Sequence, residues 1–133
     1  MPRDPSQTPL DDRIRAEHVL RAARDVVAFA KGRRREDLDA DVMLRRAMVN
    51  AIQEIGEAAT QISPAGRARM PGVAWTQLVG MRHRLVHGYA EINLDMVWTV
   101  AVREAAVLIA ALEAGLVGWP LPEPPDDAAA LSE

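Results

Sequence analysis

The chain has 133 residues, 49% of them hydrophobic and 26% charged, which is enough for one soluble domain with its own core. It contains no cysteine, so disulfides, thiolate metal sites and cysteine nucleophiles are excluded. No apolar run reaches the roughly 20 residues that span a bilayer, and the N-terminus lacks the plan of a signal peptide. We therefore expect a cytoplasmic protein. An aromatic content of 4% favours helices over strands.

The net charge of −3 argues against a nucleic-acid partner, but the acidic residues are unevenly distributed. Four acids and no basic residue lie beyond position 119, and the rest of the chain holds 15 acidic and 16 basic residues. Lys31 is the single lysine, so arginine carries nearly all of the positive charge. Arginine suits bidentate phosphate contacts. A GC-rich genome would produce the same bias, and that explanation carries more weight.

The first predicted helix runs from Leu10 to about Gly32. Residues 1–9 contain three prolines and are predicted to be disordered. Asp11 and Asp12 suit a helix N-terminus, and Gly32 can end the helix with a left-handed cap. Apolar residues at three- and four-residue spacing form one face: Ala16, Val19, Leu20, Ala23, Val26, Val27 and Ala30.

A polar connection over residues 33–37 precedes the second predicted helix, which starts at Asp39 or Asp41 and extends to Ile62. Its apolar stripe is Leu44, Met48, Ala51, Ile52, Ile55, Ala59 and Ile62. Pro64 ends this helix, because a proline disfavours helical geometry in the preceding residue. Residues 64–73 contain two prolines and two glycines and are predicted to form a loop.

Two further helices complete the chain. The third is predicted from Trp75 to Val86 or His87, with Gly88 as its terminating glycine. Asn93 or Asp95 caps the fourth, which fades between residues 115 and 118. Its stripe is Leu94, Val97, Trp98, Ala101, Ala105, Leu108 and Leu112. With no strand signal and no repeat, we predict an all-α, antiparallel bundle of four or five helices over residues 10–119, followed by a proline-rich acidic tail over 120–133.

The candidate site is a cluster of basic and proton-transferring residues: Arg82, His83, Arg84, His87 and Tyr89. Histidine moves protons near neutral pH, and arginine holds phosphates through paired hydrogen bonds. The combination suits attack of an RNA 2′-hydroxyl on the neighbouring phosphate. His87 would remove or return the proton, and Arg82 would stabilise charge on the phosphoryl oxygens.

Helix geometry restricts this pairing. On a continuous helix Arg82 and His87 would lie roughly 140° apart around the axis. Either the helix ends before His87, or a second subunit completes the site across a two-fold axis. An isolated Arg-x4-His pattern is more often two solvated helix residues, with the histidine at a favourable C-terminal position.

A wider set of residues resembles a known family. The first part of this set comprises Trp75, the residues from Met81 to Tyr89, and the residues from Leu94 to Trp98. Further matches are Ala47 with the run from Ile55 to Ala59, and the polar link over residues 32–38. Together, over roughly residues 10–112, they resemble HepT-like HEPN-domain ribonuclease toxins.

The resemblance implies a dimeric HEPN-like helical bundle that acts on RNA as a metal-independent endoribonuclease, without a cofactor. It implies the toxin role in a type VII-like bacterial toxin–antitoxin system whose antitoxin is a minimal nucleotidyltransferase. Arg82 and His87 become the catalytic pair, with His83 and Arg84 as supporting or RNA-binding residues. Tyr89 matches the tyrosine that receives AMP and silences the toxin. Gly88 departs from the pattern, where a larger or polar residue is common.

Two alternatives remain at this point. The bundle could be a non-catalytic module that binds nucleotide or docks a nucleotidyltransferase, or a purely structural adaptor. The presence of both Arg82 and His87 favours catalysis.

Glu57 is expected to face solvent, and mid-helix Gly56 suggests a close helix approach. Trp75 and Trp98 are expected to be packing residues rather than base-stacking platforms.

Overall fold

The computed structural model describes residues 9–87 and 91–119, which form a helical bundle with one very short hairpin. The predicted disordered start (apart from Pro9), Gly88, Tyr89 and the acidic tail lie outside these residues. The elements in chain order are α1 Pro9–Ala30, α2 Asp37–Ala40, α3 Val42–Thr60, α4 Pro64–Ala68, α5 Trp75–Val79, α6 Met81–Leu85, β1 Val86–His87, β2 Glu91–Ile92, α7 Leu94–Thr99, a π-helical segment Val100–Glu104 and α8 Ala105–Val117. The predicted all-α bundle is confirmed. Within the described ranges, no helix combines the length and apolarity needed to cross a membrane.

The bundle is centred on α1, which packs against both α3 and α8. All seven residues of the stripe predicted for the second helix are buried. On α1 the prediction is wrong at Val27, which is 37% exposed, whereas Ala22 is buried. Because α1 packs against both α3 and α8, its buried face is broader than the predicted stripe, and it includes Ala22 instead of Val27.

Local capping groups set several helix ends. Gly32 has a φ of 75°, so the predicted left-handed cap after α1 is confirmed. The Asp41 side chain caps α3 by accepting a hydrogen bond from the Leu44 backbone N–H at 3.0 Å. Asn93 caps α7 in the same way, accepting from the Met96 N–H at 3.1 Å.

Two short helices lie where connections were predicted. In the first, α2, Leu38 is fully buried, and the Arg45 guanidinium donates to its carbonyl at 2.8 Å. The second, α4, starts at Pro64, with Ser63 as its N-cap. The proline that was expected only to end the preceding helix also begins the next one, since a first-turn proline loses no helical hydrogen bond.

A buried carboxylate joins α1 to the start of α4. Asp12 is 3% exposed and accepts hydrogen bonds from both the backbone N–H (2.9 Å) and the hydroxyl of Ser63. The same hydroxyl accepts from the Gly66 N–H at 3.1 Å. A Cβ at Gly66 would lie 2.8 Å from the Asp12 carboxyl carbon, so the approach requires glycine. Asp12 was predicted only as a favourable helix-start residue, and its tertiary role was missed.

The third predicted helix is broken at Gly80 into α5 and α6, and it ends at Leu85. Val86 is extended (φ −100°, ψ 124°), and β1 pairs antiparallel with β2, placing Val86 opposite Ile92 and His87 opposite Glu91. The prediction of no strand was therefore wrong. These two-residue strands are too short to show alternation in sequence.

The last helical stretch is continuous from α7 through the π-helical segment into α8. Predicted stripe residues Val97, Ala101, Ala105, Leu108 and Leu112 are buried. The stretch leads to Trp119, which is 4% exposed. Arg13 donates to the Trp119 carbonyl, and the Arg69 guanidinium lies 5.1 Å from the centre of its ring. These contacts hold the end of the bundle against α1 and α4.

Candidate functional site

One side of α6 is anchored in the core, and the other presents the basic motif. Met81 and Leu85 are buried, four residues apart on the same face. Arg82 and His83 are exposed. Gly80 separates the two short helices, as the C-cap of α5 and the N-cap of α6. Packing therefore fixes the helix while its basic side chains remain at the surface.

The backbone leaves the helix before it reaches His87. Since α6 ends at Leu85 and His87 lies in β1, the 140° separation expected on a continuous helix does not apply. The helix was predicted to reach Val86 or His87 and to be terminated by Gly88, but it ends one or two residues earlier, at Leu85. The Asn93 N–H donates to the Leu85 carbonyl at 2.8 Å, which ties this turn to the start of α7. Tyr89 lies outside the described residues.

Arg82 lies beside a polar groove between α3 and the α5–α6 pair. The groove has a volume of about 360 Å³ and is lined by Gln53, Gly56, Glu57, Thr60, Gln61, Val79 and Arg82. Arg82 forms no ion pair or hydrogen bond with any other side chain that the structure describes. No described side chain therefore competes with an anion for its guanidinium.

Close packing of two helices forms the inner wall of this groove. A Cβ at Gly56 would lie 3.2 Å from the Met81 Cβ and 3.3 Å from the Leu78 carbonyl oxygen. The close helix approach suggested for this mid-helix glycine is confirmed. Glu57 is exposed, as expected, but it also lines the groove beside Arg82.

Arg84 differs from Arg82 because it is paired with Glu104, at the end of the π-helical segment. The two side chains form a bidentate ion pair with N–O distances of 2.8 and 2.7 Å, and each is about one-third exposed. Hydrogen bonding to Glu104 raises the pKa of Arg84, although burial acts in the opposite direction. Arg84 was predicted to support RNA binding. In this arrangement its guanidinium fastens α6 to the last helical stretch.

Removing the charge of Glu104 should weaken this connection. We expect Glu104→Gln to lower the free energy of unfolding by about 1 kcal/mol. The loss is no larger because the ion pair is partly exposed, and solvent weakens the attraction between its charges. Urea unfolding followed by circular dichroism measures the loss. Glu113→Gln is the matched control, because Glu113 pairs with Arg24 where both side chains are at least half exposed. An equal effect of the two substitutions would contradict a special role for Glu104.

Other residues singled out in the sequence have structural contacts. The Trp75 indole N–H lies 3.0 Å from the Met70 carbonyl and 3.2 Å from the Arg67 carbonyl, and Trp98 is half-buried against the core. The packing roles predicted for both are confirmed. In the arginine-rich connection, Arg35 binds Asp95 at 2.8 Å and Asp39 at 2.9 Å.

A second groove adjoins the first and was not predicted from the sequence. It is about 700 Å³ in volume and lies between α3 and β2, lined in part by Arg45, Arg46 and Asn50. Gln53 lines both grooves. The i, i+4 and i, i+7 spacing of Arg46, Asn50 and Gln53 along α3 could have indicated a common exposed face. Within residues 9–87 and 91–119, no three acidic or histidine side chains form a metal-ligating group.

Comparisons with known proteins give a consistent result. A family model described as Ribonuclease HepT-like matches residues 19–114, a range that includes the motif, both grooves and Glu104. A protein of Caldanaerobacter subterraneus subsp. tengcongensis named "Putative RNase TTE0752" is 32% identical over 88 residues, covering 66% of this chain and 79% of that protein. "Putative RNase MJ1380" of Methanocaldococcus jannaschii is 33% identical over 82 residues, covering 62% and 75%.

A third relative carries a more specific name. "Probable ribonuclease HepT" of Thermococcus cleftensis is 29% identical over 63 residues, covering 47% of this chain and 57% of that protein. No solved structure matches the chain.

Proposed function

Because this chain belongs to the Ribonuclease HepT-like family, we propose that it is a metal-independent endoribonuclease whose catalytic pair is Arg82 and His87. The observation that carries the proposal is the end of α6 at Leu85. Arg82 stays exposed on the helix without a protein partner among the described side chains, while His87 follows in a strand beyond the end of that helix. The 140° separation of a continuous helix therefore does not prevent this arginine and this histidine from acting on one phosphodiester.

The reaction would be an internal transesterification. The 2′-oxygen of a ribose forms a bond to the adjacent phosphorus, and the bond from phosphorus to the 5′-oxygen of the next nucleotide breaks. His87 removes the proton of the 2′-hydroxyl or returns a proton to the leaving 5′-oxygen. Arg82 stabilises the negative charge on the phosphoryl oxygens. The products are a 2′,3′-cyclic phosphate and a free 5′-hydroxyl.

The test of this chemistry uses purified, unmodified protein with RNA in excess EDTA. We expect cleavage to continue under chelation and to leave 2′,3′-cyclic phosphate ends, since the mechanism requires no metal. Mass spectrometry of the products identifies these ends. Loss of activity in EDTA that returns with a divalent cation, or products with 5′-phosphates, would overturn the mechanism.

The biological role that we propose is the toxin of a type VII-like toxin–antitoxin system, active as a homodimer. Its partner would be a minimal nucleotidyltransferase that transfers AMP to Tyr89. The sequence motif supports this assignment, because Tyr89 follows His87 by two residues. An adenylate attached there would place a phosphate and a base close to the catalytic pair, where the RNA backbone would otherwise bind.

Tyr89→Phe should keep its ribonuclease activity and resist silencing. Phenylalanine lacks the hydroxyl that would accept AMP, so incubation with the nucleotidyltransferase and ATP should inactivate the unmodified protein but not the variant. Intact-mass measurement detects the added adenylate, and RNA cleavage detects silencing. Full silencing of Tyr89→Phe would disprove the assignment of this tyrosine.

A further inference from the structure

The groove beside Arg82 has two kinds of wall. From α3, Gln53, Glu57 and Thr60 present an amide, a carboxylate and a hydroxyl on successive turns. The Thr60 hydroxyl donates to the Gly56 carbonyl at 2.8 Å, so toward a ligand its oxygen can serve only as an acceptor. On the opposite side, Val79 offers an apolar surface and is 38% exposed.

This combination fits a nucleobase better than a phosphate. A base has an apolar face, which can lie on Val79, and a polar edge, which needs hydrogen-bonding groups such as those of α3. The groove volume of about 360 Å³ lies in the range of small-molecule sites. A carboxylate in the wall would repel a phosphate, whereas Arg82 at the rim can hold the phosphate that is attached to a bound nucleotide.

We propose that this groove is a nucleobase subsite next to the scissile phosphate and that Glu57 makes it selective for guanine. The inference rests on the proposed ribonuclease function. An ionised carboxylate only accepts hydrogen bonds. Guanine alone presents two adjacent donors, N1–H and the N2 amino group, on its Watson–Crick edge. Adenine and cytosine offer a single amino group beside an acceptor, and uracil has one N–H between two acceptors.

The experiment compares short RNAs that differ at a single guanosine, which is replaced by inosine or adenosine. Inosine keeps N1–H but lacks the N2 amino group, so it removes one of the two proposed hydrogen bonds. We expect cleavage beside guanosine to exceed cleavage beside inosine by roughly tenfold. Glu57→Gln should lower this ratio to nearly one, because an amide offers only a single acceptor atom. Glu54→Gln should leave the ratio unchanged, since Glu54 is exposed on the same helix and hydrogen-bonded to Asn50 outside the groove.

Binding is measured separately on the same RNAs made uncleavable on both sides by 2′-deoxy substitution at the varied nucleotide and at the nucleotide before it. Fluorescence anisotropy should show the same order, guanosine over inosine over adenosine, and Glu57→Gln should abolish it. If the protein cleaves all three RNAs equally, the subsite is disproved and the ribonuclease function stands. If it cleaves none but binds guanosine through Glu57, the subsite stands and the ribonuclease function fails. Equal binding of all three by the unmodified protein overturns the subsite.

Discussion

Replacement of Arg82 or His87 by alanine is expected to reduce RNA cleavage by about 10²- to 10⁴-fold. The range is typical for loss of a positioned acid–base group or of a donor that stabilises transition-state charge. Arg82→Ala should change the free energy of unfolding by less than about 0.5 kcal/mol, because the side chain is exposed and bonds to no other described residue. Single-turnover cleavage and urea unfolding, measured on the same preparations, separate the two effects.

Matched controls for these substitutions lie on α1. Arg21→Ala and His18→Ala remove one exposed arginine and one exposed histidine from outside the motif, and both variants should cleave like the unmodified protein. Arg82→Lys keeps the positive charge but loses the planar guanidinium with its paired donors. Its activity should therefore fall between that of the unmodified protein and that of Arg82→Ala. Cleavage by Arg82→Ala at the original rate would eliminate the proposed mechanism.

Mixing the two inactive variants tests whether the site is shared between subunits. If Arg82 of one subunit acts with His87 of another, an equimolar mixture of Arg82→Ala and His87→Ala should recover roughly a quarter of the activity, since half of the dimers contain one intact pair. If both residues act within one chain, the mixture should stay inactive. Either result identifies which of the two arrangements drawn from the sequence applies.

Replacement of Asp12 by alanine is expected to cause the largest loss of stability, about 3 kcal/mol. The substitution leaves the N–H of Ser63 without its acceptor in a buried environment, and it removes the contact between α1 and the start of α4. Asp12→Asn should cost less, about 1 kcal/mol, because its carbonyl can accept from the Ser63 N–H while its amide donates to the hydroxyl. Urea unfolding followed by circular dichroism measures both losses.

Asp25→Ala is the control for this experiment. Asp25 lies on the same helix and is half-buried, but its side chain forms no hydrogen bond or ion pair with another described residue. Its replacement should change stability by less than about 0.5 kcal/mol. A loss below about 1 kcal/mol for Asp12→Ala would mean that Ser63 finds another partner, such as water, and that the buried network is not a major source of stability.

The features that could be predicted from the sequence are those determined within one or two helical turns. The stripe of α3 is periodic over 19 residues, and its core positions follow from that period alone. Gly32, Asp41 and Asn93 act on backbone groups a few residues away, so their capping roles are visible locally. The motif itself was found because its residues are adjacent in sequence.

The features that could not be predicted depend on tertiary contacts or on very short elements. Helices α2 and α4 have four and five residues, too few to show a period. Arg84 and Glu104 are 20 residues apart, and Asp12 and Ser63 are 51 apart, with no local pattern to connect them. The groove beside Arg82 is lined by residues of α3, α5 and α6, and at its inner wall Gly56 packs against Met81, 25 residues later in the chain. The contacts around the motif therefore could not be predicted from the sequence alone.

The π-helical segment gives the last helical stretch a place where its length can change. A π turn holds one residue more than an α turn, so the extra residue is absorbed locally and the helix that follows keeps its face toward the core. Val97 before the segment and Leu108 and Leu112 after it are all buried. Deletion of one residue within the segment would close it into an α turn and leave α8 packed against α1. The same deletion within α8 would rotate every later residue by about 100° around the helix axis.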